Sequence, residues 1–395
     1  MNRQSTVTGD MDLAKQTNRG LILNQLIVDG PLSRAELSRN VGISRSTCSS
    51  LVDELLRNQL VVELGKDRSS GGRRPTLVHI NYRGGQAIGI KVMADSIVGA
   101  LVDLTGRIVS HSSRAFEADG GYEACVAAIV DLVREISGST DEPAAPEPII
   151  GIGIGMGGRI DYQSGTLIES SVLPWKDVPL ASLVAAETGV PVYLENDVNT
   201  FALGENHFGQ GKSHQDYLCL SIGRGIGAGI VIDGHLYKGA HHGAGEFGHT
   251  KLIHGAEARR CSCGEYGCLE AYASTPAIVA EAKRRFGREL SVEELSEIAR
   301  SGDPAAVEIF REAGTVLGIG ISTLINLLDP ELVLIGGEGT AYSDLMQEAM
   351  RASIAASTVY SLAEEIPVRM LPYQADMWAR GLATVVMMER LQVTF

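Results

Sequence analysis

Residues 261–268 read Cys-Ser-Cys-Gly-Glu-Tyr-Gly-Cys, which places three cysteines within eight positions. His249 lies twelve residues upstream of the first of them. Gly264 and Gly267 allow the loop to curl, so that the three sulfurs can converge. Three thiolates and one imidazole complete a tetrahedral zinc site with no open position, and such a metal is structural. The alternative is a surface loop of three reduced cysteines, which is disfavoured because exposed clustered thiols oxidise readily.

The predicted zinc ligands, His249, Cys261, Cys263 and Cys268, lie between two carboxylates. Glu246 precedes the first ligand and Glu270 follows the last. A metal bound here would fix the two segments that carry these carboxylates. The location of the metal therefore matters more than its chemistry.

The bulk composition is that of a multidomain α/β protein. The chain has 395 residues, of which 46 are glycine and only 5% aromatic, and this length predicts two or three domains. Three further cysteines, Cys48, Cys125 and Cys219, lie in apolar patterns, which indicates core residues and no disulfide framework. The N-terminus lacks an apolar signal core, and no apolar run reaches about 18 residues. We expect a cytoplasmic protein with no membrane partner.

Charge is distributed unevenly along the chain. The net charge is −14, which by itself argues against nucleic-acid binding. Residues 1–83, however, hold 12 Lys/Arg against 8 Asp/Glu, a net of +4, so the remainder carries −18. A basic end on an acidic body is typical of a DNA-binding head joined to a ligand-binding body.

The first 60 residues have the pattern of a helix-turn-helix. Residues 33–36, Ser-Arg-Ala-Glu, form a capping box that opens a helix, and Gly42 breaks it. Ser44 then caps a second helix that is amphipathic. Its apolar positions follow helical spacing and are Cys48, Leu51, Val52, Leu55 and Leu56. Such a helix enters the major groove and reads bases with its N-terminal residues.

Two alternating segments, residues 60–64 and 76–80, follow as strands. The glycine- and arginine-rich tip between them predicts a wing that contacts phosphates or the minor groove. The alternative is a small helical interaction domain with a solvated basic loop. The candidate DNA contacts are Arg34, Ser44, Arg45, Ser46, Thr47, Ser49, Ser50, Arg73 and Arg74.

The remaining 300 or so residues alternate between buried-type strands and helices. A β-hairpin followed by α/β segments begins at residue 86, and a similar alternation begins at residue 217. Two such halves in tandem predict a bilobal protein with a cleft between the lobes. The glycine loops at 223–229 and 336–337 suit phosphate contact, but glycine at a strand turn is more often a steric requirement.

Polar residues follow a buried strand at 195–199, Glu-Asn-Asp-Val-Asn. Ligand sites of α/β proteins occur at such strand ends. Carboxylate and imidazole acceptors at Glu246, His249 and Glu270 suit sugar hydroxyls, and an aspartate beside a hydroxyl can act as a general base. The alternative is that Asp197 and Asn199 only cap the next helix.

Over almost its whole length, from about residue 18 to 386, the chain resembles the ROK family of repressors, open reading frames and sugar kinases. Four motifs carry the resemblance: 195–197, 245–249, the cysteine loop ending at Glu270, and 328–337. The resemblance implies an actin-like, ribonuclease-H-like ATPase fold with a sugar between the lobes. It also implies that the sugar site comprises Asn196, Asp197, Glu246, His249 and Glu270. In family kinases the aspartate at position 197 is the catalytic base, and family repressors carry an N-terminal winged helix.

The chain departs from the kinase pattern at residues 91–95, Lys-Val-Met-Ala-Asp. Family kinases have Asp-x-Gly-Gly-Thr there, which binds metal and the ATP phosphates. The side chains now present block close phosphate approach, and Asp95 repels a triphosphate. Arg224 also replaces a threonine common in the second phosphate loop. Because phosphoryl transfer depends on holding the phosphates, we expect no catalytic residue and no ATP, with Asp197 a vestigial base.

The expected architecture is a winged helix-turn-helix at 1–83 followed by two lobes. The first lobe covers 84–197 and is joined by a C-terminal helix at about 376–391, and the second covers 198–375 with the zinc loop. The expected function is a sugar-responsive regulator, a repressor foremost, acting as a homodimer or homotetramer on an inverted-repeat operator. Two alternatives stay open. One is a sugar kinase with an accessory DNA-binding head, and the other an activator or a repressor controlled by a partner protein.

Overall fold

The computed structural model describes residues 15, 18–64, 76–138 and 148–391, with residues 24, 28, 82, 118, 119, 171 and 373–376 excepted. Contacts divide the chain into two compact units. The first consists of residues 1–212 and 376–395, and the second of residues 213–375. No described helix is long and apolar enough to cross a membrane.

The first unit begins with a small helical head. Residues 18–23 and 25–27 are helical, and strand β1 (Leu32–Ser33) leads into helix α1 (Arg34–Val41) and helix α2 (Arg45–Arg57). The predicted capping box is present, because the Ser33 hydroxyl accepts a hydrogen bond from the Glu36 amide while the Glu36 carboxylate accepts one from the Ser33 amide. Gly42 ends α1 in the left-handed conformation, with φ of 75°.

The predicted wing strands are confirmed as an antiparallel pair. They are β2 (Val61–Leu64) and β3 (Leu77–Ile80), and β3 also pairs with β1. The tip that carries Arg73 and Arg74 lies outside the described residues.

A five-stranded sheet forms the centre of the first lobe. Its strands in chain order are β4 (Gln86–Val92), β5 (Ser96–Asp103), β6 (Ile108–Ala115), β7 (Ile149–Met156) and β11 (Val192–Asn196). The spatial order is β11-β7-β4-β5-β6, with antiparallel β4, β5 and β6, and with β7 and β11 parallel to β4. A small separate sheet holds β8 (Arg159–Asp161), β9 (Thr166–Glu169) and β10 (Lys176–Val178).

Helices cover both faces of this sheet. Helices α3 (Tyr122–Gly138) and α4 (Leu180–Thr188) contribute to one apolar cluster with the strands. The C-terminal helix (Met377–Leu391) packs on the strands through Ala379, Ala383 and Val386. It can approach closely because β7 carries Gly153, where a Cβ would lie 2.5 Å from the Leu382 carbonyl oxygen.

Helix α5 (Asp197–Phe208) packs against the C-terminal helix. A Cβ at Gly381 would lie 1.8 Å from the carbonyl oxygen of Thr200, so only glycine permits this contact. The predicted lobe boundary at 197/198 therefore differs from the observed division, because α5 belongs to the first unit. The division into three domains stays a prediction.

The second unit repeats the sheet topology of the first lobe. Its strands are β12 (Tyr217–Ile222), β13 (Ile226–Ile232), β14 (His235–Leu236), β15 (Leu332–Gly336) and β16 (Val368–Met370). Their order is β14-β13-β12-β15-β16, again three antiparallel strands followed by two parallel ones. The predicted pair of similar α/β halves is confirmed.

The helices of the second unit cover its sheet and share its apolar core, in which Phe310, Leu317 and Ile321 are buried. They are α6 (Glu270–Ala273), α7 (Thr275–Phe286), α8 (Val292–Arg300), α9 (Pro304–Leu328), α10 (Ser343–Ser357) and α11 (Leu362–Glu365). Helices α9 and α10 make the most extensive helix pair of this unit. The cysteine loop (residues 261–268) and α6 lie between strands β14 and β15 in the chain.

Candidate functional site

Helix α2 has the two faces expected of a recognition helix. Cys48, Leu51, Val52 and Leu55 are buried. At the opposite face of its first turn, Arg45, Ser46 and Thr47 are exposed. Ser44 caps the helix, because its hydroxyl accepts a hydrogen bond from the Thr47 amide at 3.1 Å. The first turn is thus capped and presents one cation and two hydroxyls to solvent, as base-reading helices do.

Arg34, a predicted DNA contact, has partners within the head. Its guanidinium lies 2.7 Å from the Asp53 carboxylate and 3.0 Å from that of Glu63, and it donates to the Ser49 carbonyl. These contacts link α1 to α2 and to the wing strand β2. Arg34 therefore holds the helix-turn-helix together, and it would have to leave both carboxylates to reach a phosphate.

Four side chains are placed to hold a metal ion. The ligand atoms of His249, Cys261, Cys263 and Cys268 all lie within 4.8 Å of one another. The Cys263 and Cys268 sulfurs are 3.8 Å apart, and the Cys261 sulfur is 3.6 Å from Nδ1 of His249. Sulfurs bound at about 2.3 Å to one tetrahedral zinc are separated by about 3.8 Å. The spacing therefore fits a single zinc ion at the position that the sequence predicts.

The loop also organises the two flanking carboxylates. Nε2 of His249 points away from the cysteines and lies 3.8 Å from the Glu246 carboxylate. The Glu270 carboxylate accepts from the Ser262 hydroxyl at 2.7 Å and from the Ile226 amide at 3.1 Å. A metal-bound histidine is usually oriented by a partner on its other nitrogen. The cysteine cluster, Glu246 and Glu270 thus form one connected site within the second unit.

A buried carboxylate anchors the base of the cysteine loop. Glu281 of α7 is 5% exposed and lies 3.1 Å from the Arg259 guanidinium, two residues before Cys261. Its hydrogen bonds to Arg284 and then Arg285 lower the pKa of Glu281 to about 2. The carboxylate is therefore ionised at all physiological pH values and ties the loop to α7.

Asn196, and not Asp197 or Asn199, caps helix α5. Its side-chain oxygen accepts from the amides of Val198 and Asn199, and its nitrogen donates to the Gly158 carbonyl at 3.1 Å. The Asn199 side chain instead donates to the buried Glu195. The capping explanation for Asp197 is therefore wrong, and its carboxylate is left for other contacts.

Asp197 pairs with Lys91. The ammonium lies 3.5 Å from the Asp197 carboxylate and 3.6 Å from the ring centroid of Trp378, in the geometry of a cation–π contact. Both charged side chains are largely buried, and Trp378 is 3% exposed. Lys91 stands where the kinase pattern has a metal-binding aspartate. The lysine is visible in the sequence. Its two contacts are not, because Asp197 and Trp378 lie in distant segments of the chain.

Glu338 occupies the glycine loop between β12 and β13. Its carboxylate accepts a hydrogen bond from the Arg224 amide at 3.0 Å, and a Cβ at Gly223 would lie 2.3 Å from its carboxyl carbon. Backbone amides of such loops bind phosphate oxygens. Here the Arg224 amide is bonded to a carboxylate of the same chain. Nothing in the local sequence around residue 338 signals this contact.

Comparison with known proteins confirms the resemblance. Residues 87–385 match the ROK family, and residues 16–62 match a winged helix-turn-helix DNA-binding family. The chain is 35% identical to the xylose repressor of Caldicellulosiruptor bescii, over 88% of this chain and 89% of that protein.

Solved structures agree with this assignment. A ROK family transcriptional regulator homologous to the Mlc protein of Escherichia coli matches with a TM-score of 0.82 at 26% identity, over 96% of this chain and 98% of that one. A ROK family glucokinase from Streptomyces griseus, in complex with glucose and AMPPNP, matches with a TM-score of 0.66 at 31% identity. The match covers 76% of this chain and 99% of the glucokinase chain.

The kinase therefore matches only part of the chain, whereas the regulators match nearly all of it, head included. The prediction of a sugar-responsive, DNA-binding repressor is confirmed, and the kinase alternative is not favoured. The chain belongs to the ROK family, with the winged helix-turn-helix of its repressors.

Proposed function

We propose that this protein represses transcription by binding an inverted-repeat operator through helix α2, with an affinity set by a bound sugar. The observation that carries the proposal is the exposed first turn of α2, with Arg45, Ser46 and Thr47, on a chain whose body is that of a sugar-binding family. Two copies of the chain would place two recognition helices on the two half-sites. The protein works as a homodimer or homotetramer in the cytoplasm, where its operator lies.

The sugar is held by Asn196, Asp197, Glu246, His249 and Glu270. Asn196 contributes indirectly, by fixing the start of helix α5, since both ends of its side-chain amide are already bonded within the protein. Asp197 accepts a sugar hydroxyl in competition with Lys91, and Glu270 accepts one in competition with Ser262. Several relatives are named for xylose, which makes xylose the first sugar to test.

The protein does not transfer phosphate. Two observations support this: an ammonium at Lys91 where a metal-binding acid is needed, and the Glu338 carboxylate on the amide of the second phosphate loop. The Lys91 ammonium cannot ligate Mg²⁺ and repels it, and the Glu338 carboxylate repels a phosphate at the Arg224 amide. Both oppose phosphoryl transfer, which needs the metal and the phosphates held in place.

The metal of the cysteine loop is zinc, and its role is structural. Four protein ligands leave no position for water or substrate. Through Nδ1 of His249 the metal fixes the ring whose Nε2 faces Glu246. The metal therefore orients His249, one of the residues that bind the sugar, without binding the sugar itself.

DNA recognition is tested at the first turn of α2. An operator is first selected from a random DNA pool with the full-length protein. Replacing Arg45 by Ala should weaken operator binding by about 1–3 kcal/mol if the guanidinium pairs with a guanine, with little change on random DNA. Arg57→Ala, at the other end of the same helix, is the matched control and should affect both DNAs slightly. Equal losses on operator and random DNA for Arg45→Ala would contradict the assignment.

The sugar site is tested at Asp197. The Asp197→Ala variant should bind the operator almost like the parent without sugar, and should lose the response to sugar, which for coupled sites is typically about 5- to 150-fold. Fluorescence anisotropy of labelled operator measures the operator affinity and, on titration with xylose, glucose and N-acetylglucosamine, the change of that affinity with sugar. Asp131→Ala, an exposed acid on α3, serves as control. A variant that responds at the parent's sugar concentration places the effector site elsewhere.

The absence of kinase activity is tested with a panel of sugars and MgATP. We expect no sugar-stimulated ATP hydrolysis and no stabilisation of the protein by MgATP in thermal unfolding. ATP turnover that rises with a sugar and disappears in Asp197→Asn would establish the kinase alternative.

The metal is tested by elemental analysis of protein purified without added metal. One zinc per chain is expected in the parent and in Tyr266→Phe, a change of an exposed residue within the same loop. Cys263→Ser should lose zinc and unfold at lower temperature, since the ligands of structural zinc depend on the ion for their arrangement. A metal-free parent that keeps its full sugar response would refute the zinc site.

A further inference from the structure

A cavity of about 290 Å³ lies inside the first unit, where the head meets the first lobe. Its walls are mostly apolar and come from both parts: Ile27, Leu60 and Ile80 from the head, and Leu104, Phe208 and Met387 from the lobe. Ligand pockets begin at about 300 Å³ and are lined by apolar side chains with few polar groups. The cavity has the size and lining of a site for a small molecule.

The charged side chains that line this cavity are all cationic. Lys212 and Arg390 line it, and both are exposed. Neither has a carboxylate partner within 4 Å among the described residues, and no described residue of the lining is acidic. Asn58 and Gln59, at the end of recognition helix α2, add neutral amides. Two unneutralised cations at the edge of an apolar space complement a ligand with an apolar body and an anionic end.

We propose that this cavity is a second effector site, which binds a small amphipathic carboxylate. The apolar body lies between Leu60 and Ile80 of the head and Phe208 of the lobe. The carboxylate is bound by Lys212 and Arg390, and a planar guanidinium suits a carboxylate particularly well.

The site is placed to act on DNA binding and on the sugar response. Helix α5 begins at Asp197 and ends at Phe208, so its 12 residues span about 18 Å from the sugar motif to the cavity wall. The C-terminal helix carries Trp378, which contacts Lys91, near one end and Met387 and Arg390 near the other. Met387 is also part of the apolar core of the head. An occupant thus contacts the head and the far ends of both helices that hold the Lys91–Asp197 pair.

The test is calorimetric titration of the full-length protein with octanoate and with octanamide, which has the same chain without the charge. Octanoate should bind at one site per chain, and octanamide roughly tenfold or more weakly, as for loss of a charge-assisted hydrogen bond. The Lys212→Gln/Arg390→Gln double variant should bind octanoate more weakly by the same factor. Its affinity for octanamide should not change. Arg134→Gln/Lys176→Gln removes two other exposed cations of the first unit and should bind like the parent.

Two further measurements locate the ligand. Hydrogen exchange should slow at residues 58–60 and 207–212 when octanoate is bound, and Leu104→Trp should block binding by filling the cavity. Asp197→Ala should keep octanoate binding, which separates this site from the sugar site. The proposal is overturned if octanoate does not saturate, if octanamide binds equally well, or if the Lys212/Arg390 double variant binds octanoate like the parent.

Discussion

One buried ammonium joins three parts of the first unit that are far apart in sequence. Lys91 projects from the first strand of the central sheet, Asp197 opens helix α5, and Trp378 belongs to the C-terminal helix. A buried charge is tolerated only with a partner, and here the carboxylate and the indole face share that role. Any ligand that draws Asp197 away must leave Lys91 with a different partner. The family's sugar motif is therefore linked to the packing of the C-terminal helix through electrostatics and not only through shape.

The two hairpin turns that are topologically equivalent in the two halves have diverged in different ways. The turn after β4, residues 93–95, has no glycine and follows Lys91, whereas the turn after β12 has glycines and contacts Glu338. Each turn is held by a charged side chain of the protein itself. The Lys91 ammonium pairs with Asp197, and the Glu338 carboxylate accepts a hydrogen bond from the Arg224 amide, so that both loops are stabilised by contacts within the chain.

Much of the fold was predictable because its signals are local. The capping box at Ser33 and the two faces of α2 each depend on residues within a few helical turns. The convergence of His249 with the three cysteines depends on one stretch of chain, residues 249–268. The partners of Lys91 and the position of Glu338 were not predictable, since each contact joins segments that are about 100 residues or more apart in the chain. The packing of α5 was equally hidden, because its sequence does not reveal that Thr200 will lie against Gly381 of the C-terminal helix.

The discontinuous first unit has a consequence for the order of folding during synthesis. Residues 213–375 form one continuous unit, whereas the unit that contains the head also needs the helix Met377–Leu391, which is synthesised after the whole second unit. Domains of a nascent chain usually fold from the N-terminus onward. Here the apolar core of the head, which includes Met387, is complete only after residue 387 has been synthesised. We expect a chain truncated before residue 376 to carry a complete second unit and an incompletely packed head, so that the DNA-binding surface depends on a segment more than 300 residues downstream of it.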